Sequence, residues 1–444
     1  MRAGGRVKGH GMADIGAEKD TGILTTTKPL SLVFVMVCIY LFLVVERPWE
    51  SISFLQGIPI ERVFAVTMIA LAIFGNKFRI VTSPTNKWVY GLLALHFILA
   101  PFAFSPGDAV DQGIEYAKMA VLYLLMLVVA EDEDTLKLLV QAYVFTMFFY
   151  MMHSLWEYHN GRMVWRMGIS RMVGVDVTMG DPNAFGASIV LSLPFLYALL
   201  RTESLPRLRR LYYGYCALAV LCIVLTGSRS SFVALLFIIL FWVLIQQGKR
   251  KIVVLTVAVV ASGIIWQAMP DEKRERIRTL WDEEAGPANA HESAQGRMVG
   301  FKVSWKMFKQ VPFTGVGAGG KNFINYRILR RIDEEGHESP TQSHNLYGEV
   351  LAEFGVGGAI LLTGMVAAIW RCSQLARSRL RVAGLTESFP FVCGGAIIAS
   401  LLLLLLFGLG GHNFYRPLWL WLAAWSGSLL RITSLTVSLT EREL

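Results

Sequence analysis

The sequence predicts an all-α, polytopic integral membrane protein of about twelve transmembrane helices, with a helical extracytoplasmic subdomain between the ninth and tenth. Three observations lead there. Of the 444 residues, 54% are hydrophobic and only 17% charged, and the mean hydropathy is +0.49; a soluble fold of this length has no place to hide that much apolar surface. Apolar runs of about 16 to 22 residues recur along the whole chain, each long enough to approach a bilayer's width. The basic residues fall in short clusters between those runs, which is how a membrane protein encodes its orientation.

The expected spans are 30–46, 61–75, 88–104, 114–130, 136–156, 183–200, 211–226, 231–247, 252–269, 345–370, 389–410 and 416–431. With the N-terminus inside, Lys77/Arg79/Lys87, Arg201/Arg207/Arg209/Arg210, Lys249/Arg250/Lys251 and Arg371/Arg377/Arg379/Arg381 all stay in the cytoplasm; the opposite orientation translocates every cluster. The acidic loop Glu131-Asp132-Glu133-Asp134 gives no support, but carboxylates weigh little in this rule. The resulting division is a cytoplasmic tail over 1–29, transmembrane helices one to nine over 30–269, a large extracytoplasmic loop subdomain over 270–344, helices ten to twelve over 345–431, and a cytoplasmic tail over 432–444. Both termini are expected in the cytoplasm.

The net charge of +9 and isoelectric point near 9.3 follow from topology and do not call for a nucleic-acid partner. Cys38, Cys216, Cys222 and Cys393 lie in apolar segments and Cys372 just past one; with no paired spacing they read as packing residues. The polar first 28 residues lack the apolar centre of a removable signal peptide. The loop subdomain opens on the charged run Asp271-Glu272-Lys273-Arg274-Glu275-Arg276, passes a loop at Gly286-Pro287, and is expected to hold a helix over 297–310, a glycine-rich turn over 315–320 and a charged helix over 321–335.

Three places carry residues suited to chemistry. Arg229 stands in Thr226-Gly227-Ser228-Arg229-Ser230-Ser231-Phe232, a polar break between apolar spans on the outer side. A guanidinium there, with Ser228 and the first amides of a helix, forms an anion site or else snorkels to lipid headgroups. Arg297 leads a helix in which Phe301, Trp305 and Phe308 make one stripe and Lys302, Lys306 and Lys309 another. The aromatic stripe is expected to be buried and the lysines solvated, which aligns Arg297 with the buried side, where it needs a ligand anion or a carboxylate such as Glu292. His344 precedes Asn345 and a span carrying Glu349 and Glu353 one turn apart. An imidazole beside carboxylates suits a general base, or a satisfied structural histidine. Ser343 is a candidate cap, and Asp181-Pro182-Asn183 reads either as a helix cap or as a substrate contact. Gly315-Val316-Gly317-Ala318-Gly319-Gly320 follows no buried strand, so it reads as a turn rather than a dinucleotide loop. No HExxH motif is present and His337 and His344 lack metal spacing, so neither a metal nor a cofactor is expected.

Taken as a set, the Ser-Arg-Ser turn at Arg229, the Arg297-led helix running to Val311-Pro312-Phe313-Thr314-Gly315-Val316-Gly317, and His344-Asn345 leading into Glu349, Glu353, Gly355 and Gly358 resemble the O-antigen ligase/O-antigen polymerase superfamily, most closely over 226–360. The resemblance implies a metal-independent, inverting, membrane-embedded glycosyltransferase of the C type, using an undecaprenyl-diphosphate-linked glycan as donor at the periplasmic face. It implies Arg229 and Arg297 on the donor diphosphate and His344 on the acceptor hydroxyl as catalytic residues, with Glu349, Glu353, Asn345, Asn183 and Ser228 as substrate-binding candidates. The acceptor is expected to be lipid A–core, because the large loop lies between the ninth and tenth spans as in ligases. Addition to another lipid-linked repeat, as by a polymerase, or to a protein hydroxyl, remains open. A different class is a transporter or flippase of polysaccharide lipids, which predicts inverted repeats, broken helices and charges at mid-membrane. Glu115 and Lys118 hint at mid-span charge, but they lie near a span end and can pair at helical spacing.

Overall fold

The computed structural model describes residues 30–75, 79–166, 168–175, 180–246, 248–279, 282, 289–332 and 341–443. The expected N-terminal tail over 1–29, Lys77, the Gly286-Pro287 loop, His337 and the Glu292 side chain lie outside the described residues. The fold is mostly helical, with α1 Leu32–Glu46, α2 Pro48–Ser51, α3 Ile60–Phe74, α4 Asn86–Leu99, α5 Pro106–Val129, α6 Glu133–His159, α7 Pro182–Thr202, α8 Pro206–Thr226, α9 Arg229–Ile245, α10 Gly248–Ala268, α11 Asp271–Arg278, α12 Asn289–Gln310, α13 Gly320–Leu329, α14 Leu346–Val382, α15 Phe389–Gly408 and α16 Leu418–Glu443. One feature departs from an all-α plan. Between α6 and α7, β1 Met163–Arg166 and β2 Ile169–Met172 pair antiparallel, Met163 opposite Met172.

Every expected span is occupied by a helix. Among the described residues eight helices are long and apolar enough to cross a membrane: α1 continued by α2, then α5, α6, α7, α8, α10, α14 and α15. At the second, third and eighth of the expected spans α3, α4 and α9 have 15, 14 and 17 residues, which at about 1.5 Å per residue falls short of a hydrocarbon core of about 30 Å. Helix starts follow local chemistry. Ser31 caps α1 by accepting from Phe34 N at 3.2 Å, Asp132 and Thr135 form a reciprocal box at the start of α6, and Pro106, Pro182 and Pro206 open α5, α7 and α8, where a missing N–H costs nothing.

α14 is the centre of the bundle, packed against α4, α12, α15 and α16. Trp419 and Trp425 of α16 are buried, and Trp425 meets Phe195 of α7 edge to face at 4.9 Å. α10 has no such neighbours: it touches α9 and its apolar window is 0% buried. At one end of the bundle basic residues tie the loops together, Arg201 to Glu387 at 2.8 Å and Arg431 to the carbonyls of Leu127 and Ala130. Here α14 runs on to Val382, past the expected limit at 370, so Arg371, Arg377, Arg379 and Arg381 lie on the helix itself.

At the opposite end α14 is interrupted. Gly355 has φ +62° and ψ −153°, which breaks the helix one turn above its middle apolar stretch. A methyl group there would strike the Pro312 carbonyl. The freed backbone groups are taken up by the turn after α12: Val316 N donates to Ala352 O at 2.8 Å, Gly317 N to Glu353 O at 3.3 Å, and Val356 N to Pro312 O at 2.8 Å. The glycine-rich segment 315–320 is therefore a splint across a broken helix, with Gly315, Gly317 and Gly319 at positive φ.

Candidate active site

The Arg229 turn is shaped by cations gathered on the C-terminus of α8. Gly227 ends that helix in the left-handed conformation and leaves its last carbonyls exposed. Arg171 of β2 donates from Nε to Thr226 O at 2.8 Å, Lys273 of α11 donates to Leu225 O at 2.9 Å and Ser170 O at 2.8 Å, and Arg276 donates from Nε to Gly227 O at 2.8 Å. All three are buried. Burial, and then neighbouring guanidinium groups, push Lys273 down to about 8 and Arg276 down to about 10. Ser228 caps α9 by accepting from Ser231 N at 3.4 Å and is itself buried. Arg229, half-buried in the first turn of α9, donates to Thr279 Oγ1 at 2.8 Å. Asn183 accepts from Arg171 Nη2 at 2.8 Å, beside the Asp181 cap of α7.

α12 brings Arg297 to the same place. The helix lies so close to the start of α14 that a side chain at Gly300 would overlap the Ser343 carbonyl, and Ser304 Oγ bonds Ser343 Oγ at 2.9 Å. Arg297 is half-buried and makes no hydrogen bond or ion pair among the described residues. Its guanidinium packs on Gly410 in the loop between α15 and α16, where an added Cβ would sit 3.2 Å from Nη1. Burial lowers its pKa, with Asp181 acting in the opposite sense.

The face that α12 turns to the protein differs from the expected one. Gly300, Val303, Ser304 and Met307 are buried, whereas Phe301 and Trp305 are 36% and 42% exposed and Phe308 is half-buried. A periodic stripe identifies the faces of a helix but not which one meets protein, and here small residues win because they permit close backbone approach to Ser343.

His344 has φ +48°, an uncommon conformation for a residue with a Cβ. Its neighbours hold it: Ser343 Oγ bonds Asn345 O at 3.0 Å, while Asn345 caps α14 through Gly348 N at 2.9 Å and donates to Leu409 O at 3.0 Å. The half-buried imidazole makes no hydrogen bond among the described residues, and its ring centre is 5.2 Å from that of His412. Burial first, then the Arg297 and Arg166 guanidinium groups, lower its pKa below the usual imidazole value, while Asp181 pulls it back up. His344 is therefore neutral near pH 7. His412 is shifted down as well, by burial, then His344 and Arg416.

Glu349 and Glu353 point into the bundle and are 4% and 2% exposed. Glu349 accepts from Phe414 N at 3.1 Å; Glu353 accepts from Gly319 N at 2.7 Å and from the Tyr415 hydroxyl. They latch the α15–α16 loop and the glycine splint to α14. Arg416 continues the latch, donating to Ser188 Oγ at 2.8 Å and Ala184 O at 3.1 Å on α7.

The structure thus gathers Arg229, Arg297 and His344 at one end of the bundle. It adds residues to which the sequence assigned no place at the site, Arg166, Arg171, Arg276 and His412, and puts Asp181, read as a cap or a substrate contact, at the cap of α7. Of these, Arg276 belonged to a charged run that gave no sign of its inward face, and His412 follows Gly410-Gly411 in a short turn with no periodicity around it. Among the described residues no three His, Cys, Asp or Glu side chains converge as a metal site would require.

The apolar helical bundle is that of a multi-pass membrane protein, and at one end it carries a cluster of cations beside an imidazole that makes no hydrogen bond among the described residues. Residues 214–363, from α8 to the middle of α14, match the family model described as O-antigen ligase. No curated protein matches the chain.

Proposed function

We propose that this protein is an O-antigen ligase-like inverting glycosyltransferase that moves a glycan from undecaprenyl diphosphate to an acceptor hydroxyl, on lipid A–core, at the periplasmic face of the bacterial inner membrane. The observation that carries this reading is the pairing of half-buried Arg297, without an anionic partner among the described residues, with an unbonded His344. A buried guanidinium is costly unless an anion meets it, and a diphosphate supplies one.

In the proposed step His344 takes the acceptor O–H proton while the acceptor oxygen forms a bond to the anomeric carbon. The bond from that carbon to the diphosphate oxygen breaks, and the electron pair leaves on the diphosphate. Arg229 and Arg297 stabilise the charge that develops there, and a single attack inverts the anomeric centre. We assign Ser228 and Asn345 to positioning, because their side chains cap the helices that carry Arg229 and His344. Glu349 and Glu353 hold the splint and the α15–α16 loop, and Asn183 holds Arg171.

Purified protein reconstituted with a polyprenyl-diphosphate glycan, and separately with lipid A–core, a second lipid-linked repeat, or a protein acceptor, tests the reading. A lipopolysaccharide conjugate formed without added metal or nucleotide sugar is expected. A lengthened lipid-linked chain would make it a polymerase, a glycoprotein would make it a protein oligosaccharyltransferase, and unmodified glycan moved across the bilayer would overturn transfer altogether.

A further inference from the structure

We infer that the outward face of α12 rests on the anionic headgroup layer of the membrane leaflet at the site end of the bundle. That face joins Phe301, Trp305 and Phe308 to Lys302, Lys306 and Lys309, the three lysines all exposed. Trp305 and Phe308 stack at 5.2 Å, and the Lys309 ammonium stands 5.9 Å from the Trp305 ring. The opposite face is occupied, since Val303, Ser304 and Met307 are buried and Gly300 is pressed on Ser343.

Two needs have to be met together. The aromatic rings require apolar cover, and the exposed Lys302 and Lys309 ammonium groups at the same level require anions or water. From Gly300 to Gln310 the sequence has three lysines and no carboxylate, so this stretch of the helix carries one sign of charge. A boundary between acyl chains and anionic headgroups meets both needs, because rings settle at that depth while lysine stems carry their charges to the phosphates. The bundle's apolar helices already fix this protein in a bilayer, so the leaflet lies within reach. Arg297 opens the same helix, and the seating of α12 on the leaflet therefore sets the height of its guanidinium above the membrane.

The test uses the full chain in lipid nanodiscs, its five native cysteines replaced, with an environment-sensitive fluorophore on Trp305→Cys. In discs rich in phosphatidylglycerol, blue-shifted emission quenched by headgroup-labelled lipid is expected. Changing to phosphatidylcholine should weaken that quenching. So should Lys302→Glu with Lys306→Glu and Lys309→Glu in a chain still monodisperse in detergent, since each lysine near an anionic surface is worth about fivefold in partition. Red-shifted emission quenched by aqueous iodide in both lipids would overturn the inference. A probe shielded from iodide and lipid quenchers alike would also overturn it, pointing to a second copy of the chain as the cover.

Discussion

At the residue scale, His344 as the proposed base sets the expected pH behaviour. Its lowered pKa means that it is ready to accept a proton at pH 7, and transfer should be lost only as pH falls through a value below the ordinary histidine range. His344→Ala should reduce turnover by about 10²- to 10⁴-fold with membrane protein levels unchanged. Asp181 favours the imidazolium, so Asp181→Asn, which preserves the helix cap, should move the acid limb of the pH–rate profile further down. An upward or absent shift would remove Asp181 from the electrostatics of the site. Arg297→Lys keeps the charge and loses the planar fork. If the guanidinium makes bidentate contact with a diphosphate, the change should cost about 1.5–3 kcal/mol in kcat/KM, whereas near-normal kinetics would favour simple charge steering.

At the scale of elements, the contact between α12 and the start of α14 is the most sensitive joint. Gly300→Ala should push the helix away from Ser343 and displace His344, with transfer falling on the order of 10²-fold for a shift near 1 Å; restoration by a second change, Ser304→Gly, is not expected, because the collision is with backbone. Helix existence here was legible from the sequence, but helix facing was not. Phe301 and Trp305 carried the strongest apolar signal and turned outward, since a membrane protein offers lipid as well as core to an aromatic ring. The break at Gly355 was hidden for a related reason. Glycine within an apolar run also marks close helix packing, and only the carbonyl of Pro312, forty-three positions away in the chain, decides between the two.

At the scale of the whole molecule, the spans could be read because length and hydropathy are one-dimensional properties, while the cluster of Arg171, Lys273 and Arg276 on the end of α8 could not, because it joins three separate segments. The sequence marked Arg229, Arg297 and His344, which the fold brings to one end of the bundle, but gave no sign of the side chains around them. Orientation can be measured directly. With a membrane-impermeant thiol reagent on intact spheroplasts, Asp282→Cys should be labelled and Arg210→Cys protected; the reverse pattern would invert the assignment drawn from the basic loops.

The latches at Glu349 and Glu353 also fix an order of assembly. Both carboxylates enter the bundle with α14, but Phe414 and Tyr415, which bind them, follow only after α15 has been made. Until that late turn closes, two acidic side chains lie in an apolar interior without those partners, and the neighbourhood of His344 is unfinished. A chain that ends before residue 414 therefore has most of its helices but lacks the turn that holds both carboxylates.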